Sequence, residues 1–450
     1  MTTTTMKLRT TKPSRLFLSY LIPSLLGMML MAINILIDGL FVSHGVGERA
    51  LAGVNVAVPV YSILLSISLW IGMGGATMFS IAMGRGEQER AHSIFSQAMT
   101  TAVLLTSAII VFSLIFEKQM AYFFGATDEI YPFVRDYLHV ILVAGLIYIL
   151  ENILSIFIRN DGNPVLATAG LIVNSILNII LNYIFIFQFG WGVKGAAWAT
   201  VIATIIGTLV LLLHFRKPNN HLKFVTWRLE WQTVKSMLLI GLPSFIVEGS
   251  AAIMIVATNM SFKHFTGEVG ITAFAVVNYV HAIFIMIFIG VGAALQPITS
   301  YHHGAKLFDR LQTFVKIAVL TGFGIGLFSF LVGSLASDLF IDLFAIQSEE
   351  IAAFTRKGIV LFFIGYLFLG VNMVYAEFYQ SIEQIRFATF IIMSRSLVFL
   401  LPGLWILPTL FGPDAIWLAF PVAEGITLLL LLLFKTYRKR KGKALPISEA

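Results

Sequence analysis

Asp38, Glu151, Glu248, Glu377, Glu424 and Arg395 interrupt stretches of this chain that are otherwise apolar. A charge in hydrocarbon costs several kcal/mol unless it is paired, hydrated or, for a carboxylate, protonated. Each is therefore read first as a functional group. Asn174, Asn178 and Asn182 recur at intervals of four and share one stripe of a helix. Amides so placed serve as interhelical glue, at roughly 1 kcal/mol each. The chemistry these residue types offer is ion exchange. Other chemistries find little support. The chain has no cysteine, so it has neither a disulfide framework nor a Cys-ligated metal site. His302-His303 reads as a surface pair at a helix end, because no third ligand lies nearby in sequence. His281, alone in an apolar run, is a candidate for a proton pathway. No glycine-rich phosphate loop ending in Lys-Ser/Thr is present, so ATP does not drive the protein directly. No paired aspartates, histidine cluster or Ser/His arrangement supports an intramembrane enzyme, and no cofactor is called for.

The elements that must position these groups follow from composition. With 58% hydrophobic and 12% charged residues and a mean hydropathy of +0.89, a chain of 450 residues has too little polar surface for a water-soluble particle. Apolar runs of about 18–27 residues recur along it, and at ~1.5 Å per residue each crosses a hydrocarbon core of ~30 Å as a helix. Barrel strands would be shorter and alternating. The expectation is an all-α polytopic membrane protein with twelve transmembrane helices, near residues 16–42, 51–82, 93–115, 131–157, 164–187 and 192–215, then 236–262, 269–300, 312–336, 358–379, 387–410 and 415–434. The first run is longer than a signal-peptide core and lacks a small-residue cleavage site, so it reads as a retained span. Asp38 then falls in span 1, Glu151 in span 4, the asparagine stripe in span 5, Glu248 in span 7, Glu377 in span 10, Arg395 in span 11 and Glu424 in span 12.

The sequence repeats itself. Pro23-Ser24 and Gly47-Glu48 return as Pro243-Ser244 and Gly267-Glu268, Ile71-Gly72-x-Gly74 as Ile289-Gly290-x-Gly292, and Leu166-Ala167-Thr168 as Phe387-Ala388-Thr389. The halves divide into an N-terminal six-helix lobe at 14–216, a polar connection at 217–232 and a C-terminal six-helix lobe at 233–436. An even number of spans per half starts both on the same side, which predicts two pseudo-symmetric lobes related by an axis along the membrane normal, with a cavity between them. Both lobes lie in one chain, so a monomer suffices.

At particular residues the chain resembles the multidrug and toxic compound extrusion (MATE) family. The resemblance rests on Gly290-x-Gly292-Ala293-Ala294-x-Gln296-Pro297 with Gly304-Ala305, on Asn178-x3-Asn182-Tyr183-x-Phe185-Ile186-Phe187 leading to Gly192-Val193-Lys194-Gly195-Ala196-Ala197-x-Ala199-Thr200, and on Ile158-Arg159-Asn160-Asp161-Gly162-Asn163-Pro164. It covers nearly the whole chain, and the brief loops and tails are similar to the MepA-like bacterial branch. It implies a twelve-helix antiporter that expels organic cations in exchange for protons or sodium ions. It also implies an ion-coupling set in the first lobe, since Asp38, Asn174, Asn178 and Thr200 match positions that form a cation or proton site in some members. Asn178 stands where certain relatives carry aspartate. That departure removes one negative charge, disfavours a tight sodium site and leaves Asp38 as the main ionisable group. Glu151, Glu248, Glu377 and Arg395 are candidates for substrate or coupling roles, and Asn372 occupies the second-lobe position equivalent to Glu151. Met28, Met29, Met31, Met73 and Met78, with Phe41, Tyr61, Tyr279, Phe284 and Tyr375, are the soft and aromatic surfaces available to an organic cation.

The net charge of +7 does not call for nucleic acid. Its basic residues cluster at Lys7, Arg9, Lys12 and Arg15, at Arg216, Lys217, Lys223, Arg228 and Lys235, and at Lys435, Arg438, Lys439, Arg440, Lys441 and Lys443. Six spans per half put these clusters on one side, and retention of lysine and arginine in the cytoplasm makes that side inside. The expected setting is a bacterial inner membrane with both termini cytoplasmic. The competing reading is a lipid-linked precursor flippase of the same superfamily. A flippase carrying anionic head groups calls for a cavity lined by arginine or lysine, and only Arg395 lies deep in a span.

Overall fold

The computed structural model describes residues 8–440 apart from 219, 226–228, 345 and 347. Lys7, Asn219, Arg228, Lys441 and Lys443 lie outside the described residues, as do the side chains of Glu48, Arg438, Lys439 and Arg440. The described residues form helices and connecting turns, with no strand among them.

Ten helices are long and apolar enough to cross a membrane, and the bent pair Glu349–Phe363 and Tyr366–Ser381 makes an eleventh crossing. The twelfth is hidden inside Trp231–Gly304, a continuous run of 74 residues. At ~1.5 Å per residue that run is about 110 Å long, several times a hydrocarbon core. It turns back at Gly267, whose φ of 64° and ψ of −142° are not helical. Gly47 makes the matching turn in the first half with φ 118°, as glycine alone does without steric cost. The chain therefore has twelve spans, as its periodicity predicts.

The halves share finer marks. A seven-residue helix follows the third span, Glu117–Phe123, and another follows the ninth, Ser337–Leu343. A turn of π-helix interrupts the fifth span at Ile184–Gln188 and the eleventh at Ser394–Val398. The tenth span begins at Glu349 rather than near 358 and bends by 43°. Its first turns carry Glu349, Glu350, Arg356 and Lys357, which depress its hydropathy. Gly365 stands at the bend, where a Cβ would meet the Phe420 ring at 2.5 Å.

Two compact units result, one built mainly of Ile22–Phe245 and the other of Ile246 onward together with Lys12–Leu21. In the first unit spans 2 and 4 are the main packing pair, with Val134, Leu138 and Leu142 buried against Ala57 and Val60. In the second unit the core is aromatic. Phe262 lies 4.5 Å from Trp417 and Phe362 stacks on Phe420 at 4.3 Å. Offset and edge-on pairs of this kind add about 0.5–1.5 kcal/mol each beyond the area they bury. Many large apolar side chains point outward, among them Leu26, Phe112, Leu320 and Phe411, as a surface bathed by acyl chains requires.

Candidate functional site

In the first unit the polar residues of spans 1, 4, 5 and 6 meet in two adjoining clusters. Asp38 on span 1 accepts a hydrogen bond from Asn182 Nδ2 on span 5 at 2.6 Å. Asn178, one turn earlier, bridges the same carboxylate to span 6. With its nitrogen toward the acid it donates to Asp38 Oδ1 at 2.7 Å and accepts from Thr200 Oγ1 at 3.0 Å. Asn34 on span 1 closes the group by donating to Ser175 O at 3.4 Å. Asn178 and Asn182 are buried. Asp38 has no cationic partner among the described residues, so neutral amides and desolvation set the cost of its charge.

The second cluster belongs to Glu151. This buried carboxylate on span 4 receives both of its hydrogen bonds from one amide, Asn174 Nδ2, at 3.0 and 2.9 Å. Asn174 also lies 3.5 Å from Thr204 Oγ1 on span 6. Gly207 makes room for the acid, since a Cβ there would stand 2.4 Å from Glu151 Oε1. Thr204 Oγ1 in turn donates to the carbonyl of Thr200 at 2.8 Å, so the two clusters are linked along span 6. Of the residues expected to form one coupling set, Asp38, Asn178 and Thr200 come together, whereas Asn174 serves Glu151. Asn182 takes its place beside Asp38. It lies on the stripe read from the sequence but was not among the expected site residues.

In the second unit the equivalent stations hold a different set. Glu424 Oε1 on span 12 accepts from Arg395 Nε on span 11 at 2.7 Å, and its Oε2 accepts from Asn372 Nδ2 on span 10 at 2.8 Å. The glutamate is buried and the arginine nearly so. Glu377 is not part of this group. Its side chain lies 3.4 Å from the position a Cβ would take at Gly292, and its Oε1 is without a hydrogen-bond partner. Glu248 on span 7 likewise has no partner among the described residues. His281 pairs with Tyr366 Oη at 2.7 Å inside the aromatic core. Among the aromatic candidates, Tyr61 packs on Tyr148 at 4.6 Å and Phe41 on Phe187 at 5.6 Å, while Phe284 is buried.

Two features depart from the sequence reading or escape it. His302 and His303 are buried rather than a surface pair. The last turn of span 8 is covered by span 9, with the Phe314 ring 4.8 Å from His302 and Arg310 Nε donating to it at 3.3 Å. Asp161, in the turn after span 4, draws the polar connection onto the end of the first unit. It accepts from His214 Nε2 and His221 Nδ1, each at 2.7 Å, and from the His221 backbone N–H at 2.9 Å. Burial raises its carboxyl, but the hydrogen bonds from His214 and His221 outweigh it and hold the group below the usual carboxylate range. The only sequence signal was a polar turn and a histidine in a linker. Among the described residues no cluster of His, Asp and Glu is arranged to hold a metal ion.

Comparison with known proteins agrees with this architecture. The chain is 25% identical over 422 residues to the probable multidrug resistance protein YoeA of Bacillus subtilis, covering 92% of this chain and 91% of that protein. It is 23% identical over 428 residues to the multidrug export protein MepA of Staphylococcus saprophyticus, covering 92% and 91%. Its fold matches, with a TM-score of 0.91 at 22% identity and over 97% of this chain and 98% of the other, a structure of the outward-facing conformation of a multidrug resistance MATE family transporter of the MOP superfamily. A second structure, of a MOP superfamily transporter from Pyrococcus furiosus, matches with a TM-score of 0.90 at 21% identity over 97% and 98%. The MatE family profile matches residues 23–184 and 243–406, one stretch in each six-span half, and the chain belongs to the MatE family of membrane transporters.

Proposed function

We propose that this protein is a secondary active multidrug efflux antiporter of a bacterial inner membrane that exports organic cations in exchange for protons by alternating access, working as a monomer with both termini cytoplasmic. The observation that carries the reading is the setting of Asp38. It is a partly buried carboxylate held by amides, with no cation beside it among the described residues. When charged, it accepts N–H bonds from Asn182 and Asn178. Loss of the proton leaves a negative site that attracts a cationic drug, and gain of the proton removes that attraction. One carboxylate thus links the two fluxes. The names of YoeA and MepA, both multidrug proteins, support the substrate class, and the replacement of a second acid by Asn178 favours protons over sodium.

The flippase reading is weakened by Arg395, the one deep cation, which is engaged by Glu424. The test is efflux of a fluorescent cation from vesicles under an imposed pH gradient or an imposed sodium gradient. The pH gradient alone should drive wild-type efflux. Asp38→Asn should reach the membrane, retain its fold and lose that efflux. Undiminished export by the variant, or export driven only by sodium, contradicts the assignment.

A further inference from the structure

The two units end differently where their last two spans meet the polar face that carries the basic clusters. In the first unit the turn between spans 4 and 5 is covered. Asp161 and Asn163 engage His214 and His221, Leu222 is fully buried, and the Phe224 ring rests 4.9 Å from Phe95 and 6.2 Å from Phe215. The second unit has the same turn. Gln384 N–H bonds to the Tyr379 carbonyl at 2.8 Å, as Asn163 N–H bonds to the Ile158 carbonyl at 3.1 Å. Beside it, between spans 11 and 12, lies a groove of about 810 Å³.

Its two ends differ in chemistry. Phe387, Phe390, Leu430 and Phe434 form apolar walls, Phe390 is half exposed, and Phe387 and Phe434 pack together at 4.9 Å to close one side. Glu383, Gln384 and Arg386 form the polar mouth. Arg386 is exposed and has no carboxylate partner among the described residues, and span 12 runs on in sequence into Lys435, Arg438, Lys439 and Arg440. A volume of this size suits a small organic ligand. The mouth carries one acid, Glu383, and one base, Arg386, and a guanidinium binds a phosphate in a bidentate fork. We propose that this groove binds one anionic phospholipid, with its phosphate on Arg386 and an acyl chain along Phe390 and Leu430. Basic grooves at the cytoplasmic ends of membrane helices select anionic head groups over zwitterionic ones. The site stands whether or not Asp38 couples transport to protons.

The experiment is photolabelling of the full-length purified protein in nanodiscs by a photoactivatable phosphatidylglycerol or phosphatidylcholine, with labelled peptides mapped by mass spectrometry. Phosphatidylglycerol should label peptides containing 385–391 and 430–434 more strongly than phosphatidylcholine. Arg386→Gln should lower the phosphatidylglycerol label about fivefold, the equivalent of ~1 kcal/mol for one basic residue near an anionic head group. Phe390→Trp, which fills the groove while leaving the charge in place, should lower both labels. Equal labelling by the two lipids, or an unchanged label in Arg386→Gln, overturns the proposal. So does displacement of the label by an organic cation. Deletion of residues 441–450 serves as the control for a rival occupant: an unchanged label supports the lipid, and a several-fold rise shows that the chain's own end fills the groove instead.

Discussion

Each six-span unit carries a polar trio on its fourth, fifth and sixth spans at stations about 220 residues apart, yet the trios are built from opposite parts. The first is Glu151, Asn174 and Thr204, the second Asn372, Arg395 and Glu424. The acid sits on the fourth span of one unit and on the sixth of the other, and only the second unit supplies a cation to it. A buried ion pair satisfied on both oxygens is fixed, because protonating it would leave the arginine charge alone. A buried acid held by amides has no such tether. The comparison teaches that duplication preserved the places where polar groups are needed between helices, while the charges placed there differ: an ion pair in the second unit and an acid held by an amide in the first. On this account the first unit exchanges protons at Asp38, while the Arg395–Glu424 pair of the second keeps its charge.

The comparison breaks most easily at its strongest contact. Glu424→Ala should strand Arg395 in the second unit at a cost of about 3–5 kcal/mol, seen as a large drop in thermal unfolding temperature in detergent. Glu151→Gln removes an acid that no cation holds and should change that temperature little. Equal effects at the two stations would erase the distinction. Next in size is Asp161→Asn, where two charge-assisted hydrogen bonds of about 1.5–3 kcal/mol each are weakened and the connection at 217–232 should become open to limited proteolysis. The pH dependence follows from the lowered carboxyl. Its contribution is fully present above the ordinary carboxylate value and is lost as pH falls through the depressed one, so wild-type protection should persist at neutral pH and fail only in acid.

Smaller effects sharpen the picture. Gly207→Ala drives a Cβ against Glu151 Oε1 and should cost about 1–3 kcal/mol as overpacking, with the deficit reduced when Glu151 is also shortened to alanine. The smallest change lies at Lys306, which holds φ 57° where the first unit uses Gly86 at φ 82°. Both close a helix with the same pair of backbone bonds, Gly86 to Met83 and Glu87 to Ala82 against Lys306 to His303 and Leu307 to His302. Lys306→Gly should therefore stabilise the second unit by about 1 kcal/mol, and a loss of stability would show that the two caps are not equivalent.

Much of this was legible in the chain and some of it was not. Span number and the repeat follow from hydropathy and from landmarks such as Gly47 and Gly267, because a bilayer fixes helix length and a reversal needs a permissive residue. The asparagine stripe was legible as a stripe, but residues eight apart on a helix are rotated by about 80°. Asn174 and Asn182 therefore face different neighbours, Glu151 and Asp38, and the sequence cannot choose between them. The Arg395–Glu424 pair depends on how spans 11 and 12 are rotated against each other. Burial of His302 and His303 depends on span 9 folding over their turn, and the Asp161 cluster on a linker returning to a loop 60 residues earlier. All three are long-range facts that no local pattern encodes.

The central claim, that the proton at Asp38 is exchanged for the cationic substrate, is tested most directly by following proton release when an organic cation binds to the purified protein in weakly buffered solution. Wild type and Glu151→Gln should release protons on binding, and Asp38→Asn should bind without releasing any. Release from Asp38→Asn equal to that of wild type would contradict the account.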